Sequence, residues 1–162
     1  MAIEHLHVFP GGPRRNRSRG FTLVELAMAA AALGLLAAIA VPSYSRVVER
    51  QKINQCAMDL RHLALRVDHY RTQHGSIPNS LADLGAPLPK DPWGQQYRFL
   101  NFDAGTPGMI RKDHNLHPLN SEFDLYSVGK DGSSVPALTA KPSRDDVIWA
   151  RDGGFVGLAA DY

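Results

Sequence analysis

Hydrophobic and polar positions alternate with four different rhythms along this chain. Residues 1–20 are polar and broken by Pro10, Gly11, Gly12 and Pro13. Residues 21–41 are an almost unbroken apolar run of 21 residues in which Glu25 is the one ionisable side chain. At about 1.5 Å of rise per residue, a helix of that length covers roughly 31 Å, close to the hydrocarbon thickness of a bilayer. From residue 43 to 74 no proline or glycine intervenes. Here Ile53, Cys56, Leu60, Leu63, Val67 and Tyr70 recur at steps of three and four, one stripe of an amphipathic helix, with Arg50, Lys52, Asp59, Arg61, Arg66, Asp68 and Arg71 filling the other positions. Beyond Gly75 the pattern shortens to strand-like alternations separated by glycine and proline.

The pattern predicts one long helix, softened at Gly34 and Pro42 because proline removes a backbone donor and crowds the preceding turn. Gly75 and Pro78 end it, and Ser80 caps a single helical turn through Leu84. Asp91-Pro92-Trp93-Gly94 is turn chemistry leading into a half-buried strand at Tyr97 and Phe99. Met109-Ile110-Arg111 is a possible short strand in a loop-rich stretch from 101 to 121. Phe123 to Val128 reads as a strand running into Gly129-Lys130-Asp131-Gly132, and Val147-Ile148-Trp149 as another. Phe155 and Val156 are placed as an edge strand or a cover over the core. The fold class is α+β: a transmembrane-plus-amphipathic helix packed on a small antiparallel sheet, with a loop-rich C-terminal region. Four segments follow: a basic leader (1–20), a membrane helix (21–41), its amphipathic continuation (42–74) and a globular β-rich region (75–162).

Charge and composition narrow the function. The leader sets Arg14, Arg15, Arg17 and Arg19 against Glu4, a net +3, so the rest of this +2 chain carries −1. No basic field for nucleic acid is left outside the leader. Cys56 is the one cysteine, so no intrachain disulfide forms, and its place on the apolar stripe marks a small core residue. No nucleophile–base signature or phosphate loop is present, which argues against an enzyme. His114 and His117 read as solvated loop histidines without a third metal ligand.

A basic leader, a Gly-Phe junction and a glutamate shortly after it form an unusual combination. Arg19-Gly20-Phe21-Thr22-Leu23-Val24-Glu25 resembles the N-terminal processing site of type IV pilins and pseudopilins. The resemblance implies cleavage after Gly20 by a prepilin peptidase and N-methylation of Phe21. It also implies that Glu25 meets the free amine of a neighbouring subunit during assembly. An uncleaved signal anchor shows the same basic-then-apolar order, and Glu25 then is a tolerated polar residue near the interface. The small residues between Ala27 and Ala40 suit close approach of membrane helices, although alanine is also a good helix former.

The turn at Asp91 to Gly94 with its aromatic strand is similar to an element of the major pseudopilins of type II secretion. Asp131, Asp145 and Asp146 are oxygen ligands on loops, a choice that suits calcium if backbone carbonyls complete the shell; the bland alternative is two strands and a surface loop. A strand ending Gly-x-Asp-Gly, followed by Asp-Asp, an aliphatic pair and Trp149, resembles the calcium loop of the major pseudopilins. The loop lacks the usual glycine and acidic residues and contains Pro136 and Pro142.

The resemblance implies a structural subunit: single-pass in the bacterial inner membrane, N-terminus cytoplasmic, C-terminal domain periplasmic, polymerising into a periplasmic pseudopilus that drives export of folded proteins. Its implied partners are further copies, minor pseudopilins, an inner-membrane assembly platform and the prepilin peptidase/methyltransferase. A pilus subunit or minor pseudopilin is the near alternative, and a signal-anchored periplasmic binding domain the distant one.

Overall fold

The computed structural model describes residues 20–85, 87–105 and 107–162. The leader arginines therefore lie outside the described residues. Two compact units divide the chain, Met1–Pro42 and Ser43–Tyr162. Helix α1 is Leu23–His74 and contains Pro42.

Among the described residues of the first unit the large apolar side chains Phe21, Leu23, Leu26, Met28, Leu33, Leu36 and Ile39 are exposed. By length and composition this part of α1 is able to cross a membrane.

In the second unit the predicted stripe is the core face of α1. Cys56, Leu60, Leu63 and Val67 are buried, joined by Ala57 and Ala64. Each of the larger ones contributes about 1.5–3 kcal/mol by leaving water. Gly75 donates its N–H to the Arg71 carbonyl at 2.8 Å and ends the helix. A 3-10 turn, Leu81–Leu84, follows, its start fixed by the Ser80 N–H donating to Asp83 Oδ2 at 2.8 Å. Arg66 reaches from α1 to this region and donates to the carbonyls of Leu84 and Gly85 at 3.0 and 2.8 Å.

Four antiparallel strands then make a meander in the order β1 (Arg98–Asn101), β2 (Phe123–Ser127), β3 (Val147–Ala150), β4 (Phe155–Leu158). The register sets Phe99 opposite Leu125, Leu125 opposite Trp149, and Trp149 opposite Val156. Residues directly opposite share a face, so this row meets the α1 stripe. Phe123 stacks on Trp149 with centroids 4.7 Å apart, inside the same core.

The other face carries a second core. Ile148 and Ala150 of β3 join Leu119, Leu138 and Ala159, with Tyr126, Phe155 and Tyr162 at the margin. The loops 102–122 and 128–146 and the chain's end cover it. Met109-Ile110-Arg111 is not a strand: Pro107–Met109 forms a 3-10 turn, and Arg111 turns inward. Residues 155–158 form the edge strand, and their apolar side chains serve both cores.

Candidate functional site

The start of α1 is the first candidate site. Glu25 Oε2 accepts the Thr22 backbone N–H at 2.9 Å and the Thr22 hydroxyl at 2.9 Å, while the Glu25 N–H donates to Thr22 Oγ1 at 3.2 Å. This is a capping box: two helix-end donors that would otherwise lack partners are satisfied reciprocally. Thr22-x-x-Glu25 was readable as such in the sequence, and it gives Glu25 a local task in the single subunit. The two Thr22 donors converge on Oε2, while the Thr22 hydroxyl oxygen takes the Glu25 N–H. Phe21, at the expected cleavage point, is fully splayed into the surroundings at 89% exposure.

The Asp91 turn is the second element. Asp91 is buried, and its Oδ1 accepts the N–H groups of Trp93 at 3.1 Å and Gln95 at 2.8 Å. Its Oδ2 accepts the Ser127 hydroxyl, and Ser127 Oγ in turn accepts the Gly129 N–H at 3.1 Å. Gly94, at φ +92°, supplies the left-handed position the turn needs. The Trp93 indole N–H donates to Glu49 Oε1 at 3.2 Å on α1. One aspartate therefore fastens the turn to itself and to β2, while its tryptophan reaches the helix.

Cys56 is buried in the core that Trp93 and Tyr97 also join. Burial pushes its thiol up to about 12, opposed by hydrogen bonding to Tyr97 and Ser127. The Tyr97 hydroxyl, itself pushed up by burial, donates to Asp59 Oδ2 at 2.8 Å. A thiol held this far from thiolate is a poor nucleophile. A maleimide reagent is expected to leave Cys56 unmodified in the folded protein and to label it fully in denaturant; rapid labelling without denaturant would remove Cys56 from the core.

The three aspartates singled out for calcium do not come together. Asp131 is exposed, and its Oδ1 accepts the Ser133 N–H at 2.8 Å. Asp145 is half-buried, and its Oδ2 accepts the Asp131 N–H at 3.0 Å. Asp146 is fully buried and engaged by Arg111, whose Nη2 donates to Asp146 Oδ2 at 2.6 Å. Among the described residues no group of three or more His, Cys, Asp or Glu side chains is placed to hold a metal ion. His114 and His117 are exposed on their loop, where the His117 N–H donates to Asp113 Oδ1 at 2.8 Å.

Arg111 and Asp124 carry no sequence signal for their role. Arg111 is 2% exposed. Its backbone N–H donates to Asp124 Oδ2 at 2.6 Å, Nη1 donates to Ser134 Oγ, and the guanidinium lies 4.1 Å above the Tyr126 ring. Ser134 completes the triangle by donating to Asp146 Oδ2 at 2.6 Å. Asn120 Nδ2 donates to Asp124 Oδ1 at 3.1 Å and to the Trp149 carbonyl at 3.0 Å. Burial pushes both carboxyls up to about 6, against the pull of Arg111 and the neighbouring donors. Both therefore remain mainly ionised at neutral pH.

Comparison with known proteins locates this arrangement. The family described as Prokaryotic N-terminal methylation motif matches residues 15–41. The type II secretion system core protein G of Pseudomonas aeruginosa is 29% identical over 140 residues, covering 74% of this chain and 88% of that protein. The core protein G of Dickeya chrysanthemi is 25% identical over 151 residues, covering 75% of this chain and 99% of its own length. A fimbrial protein of Neisseria meningitidis is 26% identical over 146 residues, covering 88% of this chain and 85% of that protein. None of these names is that of an enzyme. No solved structure matches the chain. With a methylation motif leading into one long helix, that helix seated on an antiparallel meander, and these relatives, the chain is similar to type IV pilin-like proteins, the core protein G of type II secretion systems among them.

Proposed function

We propose that this chain is the main structural subunit of a type II secretion pseudopilus, a periplasmic filament that drives folded proteins out through the outer membrane. The observation that carries the reading is the likeness to several core proteins G over three quarters of the chain, soluble part included. The precursor sits in the inner membrane with its basic leader in the cytoplasm and 43–162 in the periplasm. A prepilin peptidase cuts after Gly20 and the new Phe21 amine is methylated. The subunit then passes to an assembly platform and joins further copies, with minor pseudopilins in the same filament.

The chemistry of joining follows from the helix start. Cleavage exposes an amine one residue before the Thr22–Glu25 cap. A neighbour's amine placed against Glu25 forms an ion pair in lipid, where the surroundings reward a complete pair and penalise a lone charge. The exposed apolar helix supplies contact area, and its alanines allow close approach.

Two measurements test the reading. The intact mass of the membrane-extracted protein is expected to begin at a methylated Phe21, and Gly20→Val is expected to retain the leader. A precursor that starts at Met1 in wild type would sink it. Deletion of the gene is expected to trap exported enzymes in the periplasm while surface pili persist; loss of pili with normal export assigns the subunit to a pilus instead.

A further inference from the structure

We propose that the cation fastening the 129–146 loop is the guanidinium of Arg111, and that this loop reaches its folded form without calcium. Arg111 sits where the sequence placed a metal's work. Through Nη2 it holds Asp146 at the entry to β3, through Nη1 it holds Ser134 in the middle of the loop, and through its backbone N–H it holds Asp124 on β2. The next residue extends the same fastening, because the Lys112 N–H donates to the Pro136 carbonyl at 2.8 Å and the Leu138 N–H donates to the Lys112 carbonyl at 3.1 Å. A planar fork with donors in fixed directions suits this task, and the Tyr126 ring covers its face.

The donor set does not fit calcium, which takes six to eight oxygens at about 2.3–2.6 Å. Positive ends of amide dipoles, not lone pairs, face Asp131 Oδ1 and Asp145 Oδ2, since each accepts a backbone N–H. Asp146 Oδ2 is taken by Arg111 and Ser134, and among the described residues no group of three or more His, Cys, Asp or Glu side chains is placed to hold a metal ion. The turn after β2 also lies hard against Asp145. Gly129 is at φ +65°, and a Cβ built there would run into the Asp145 backbone carbonyl. The segment is closed by backbone contact and by an internal counter-ion.

An internal cation and a bound one differ under mass action. A ligand that binds only the folded state raises the melting temperature with its concentration, whereas a covalently attached guanidinium does not. The experiment uses the full chain in detergent micelles, melted in EGTA and in millimolar calcium chloride. The two wild-type curves are expected to superimpose. Arg111→Met is expected to melt roughly 10 °C or more lower in both buffers, because it leaves Asp146 buried without its cation. Arg111→Lys should recover part of that loss, as a point charge replaces the fork. A wild-type melting temperature that climbs with calcium, or stoichiometric calcium uptake by titration calorimetry, overturns the proposal. So does an Arg111→Met protein that melts like wild type. Should Arg111→Met fail to fold, the wild-type comparison in EGTA and calcium decides alone.

Discussion

Asp91→Ala is expected to destabilise the soluble unit by about 3–5 kcal/mol, a large share of the 5–15 kcal/mol that holds a typical domain together. Asp91 is 4% exposed and accepts three hydrogen bonds, from Trp93, Gln95 and Ser127. Bonds to a charged acceptor contribute about 1.5–3 kcal/mol each, and they are not additive. The larger part of the cost comes from what is left behind, namely donors with no partner in a buried place. The damage should also spread. Ser127 passes its bond on to Gly129, and the Trp93 indole is the turn's link to Glu49 on α1. Loss of Asp91 thus loosens the seat of the helix as well as the turn. Thermal melting should report a drop of roughly 10–20 °C. Asp91→Asn keeps one oxygen for the two amides and offers its NH2 to the Ser127 oxygen, so it should lose about half as much or less. Equal losses for the two variants would mean that charge, not the count of acceptors, holds the turn.

What was legible in the sequence was local. The α1 stripe follows from a period of 3.6, and Cys56, Leu60, Leu63 and Val67 are buried as that period demands. The Asp91 turn and the strand starting at Arg98 follow from turn chemistry and alternation over a few residues. The second core was not legible. Leu119, Leu138 and Ala159 lie outside any periodic stripe, and only the pairing of β2 with β3 brings Tyr126 and Ile148 beneath them. Arg111 was not legible for the same reason. It follows Gly105, Pro107 and Gly108 in a loop-rich stretch, and its carboxylate partner lies 35 residues away. Asp145 and Asp146 are adjacent in sequence and looked like one ligand pair. Both lie just before β3, yet Asp145 accepts the Asp131 N–H of the turn after β2 while Asp146 is buried against Arg111. The Thr22–Glu25 cap was present in the sequence as Thr-x-x-Glu, and the functional reading of Glu25 drew attention away from its local one.

Glu25→Ala is expected to leave leader removal intact and to cut filament yield at least about tenfold, the larger of the functional effects foreseen for this chain. Two physical contributions are at stake in one side chain. The first is the cap: Oε2 accepts both Thr22 donors, and its removal costs the helix start about 0.5–2 kcal/mol. The second is the charge offered to a neighbour's Phe21 amine. In lipid, breaking one partner of an ion pair leaves the other uncompensated, at about 3–5 kcal/mol, and each 1.4 kcal/mol is a factor of ten in association. Glu25→Gln separates the two. Glutamine still accepts the Thr22 donors through its amide oxygen, so the cap survives while the charge is gone. If pairing with the amine carries assembly, both variants are processed normally and both fail to form filaments. If the cap carries it, Glu25→Gln assembles and Glu25→Ala does not. Sheared-filament yield and the mass of the mature subunit, measured on the same cells, distinguish these outcomes. Normal filaments from both variants would assign Glu25 to neither task and leave the joint to the apolar faces of α1 alone.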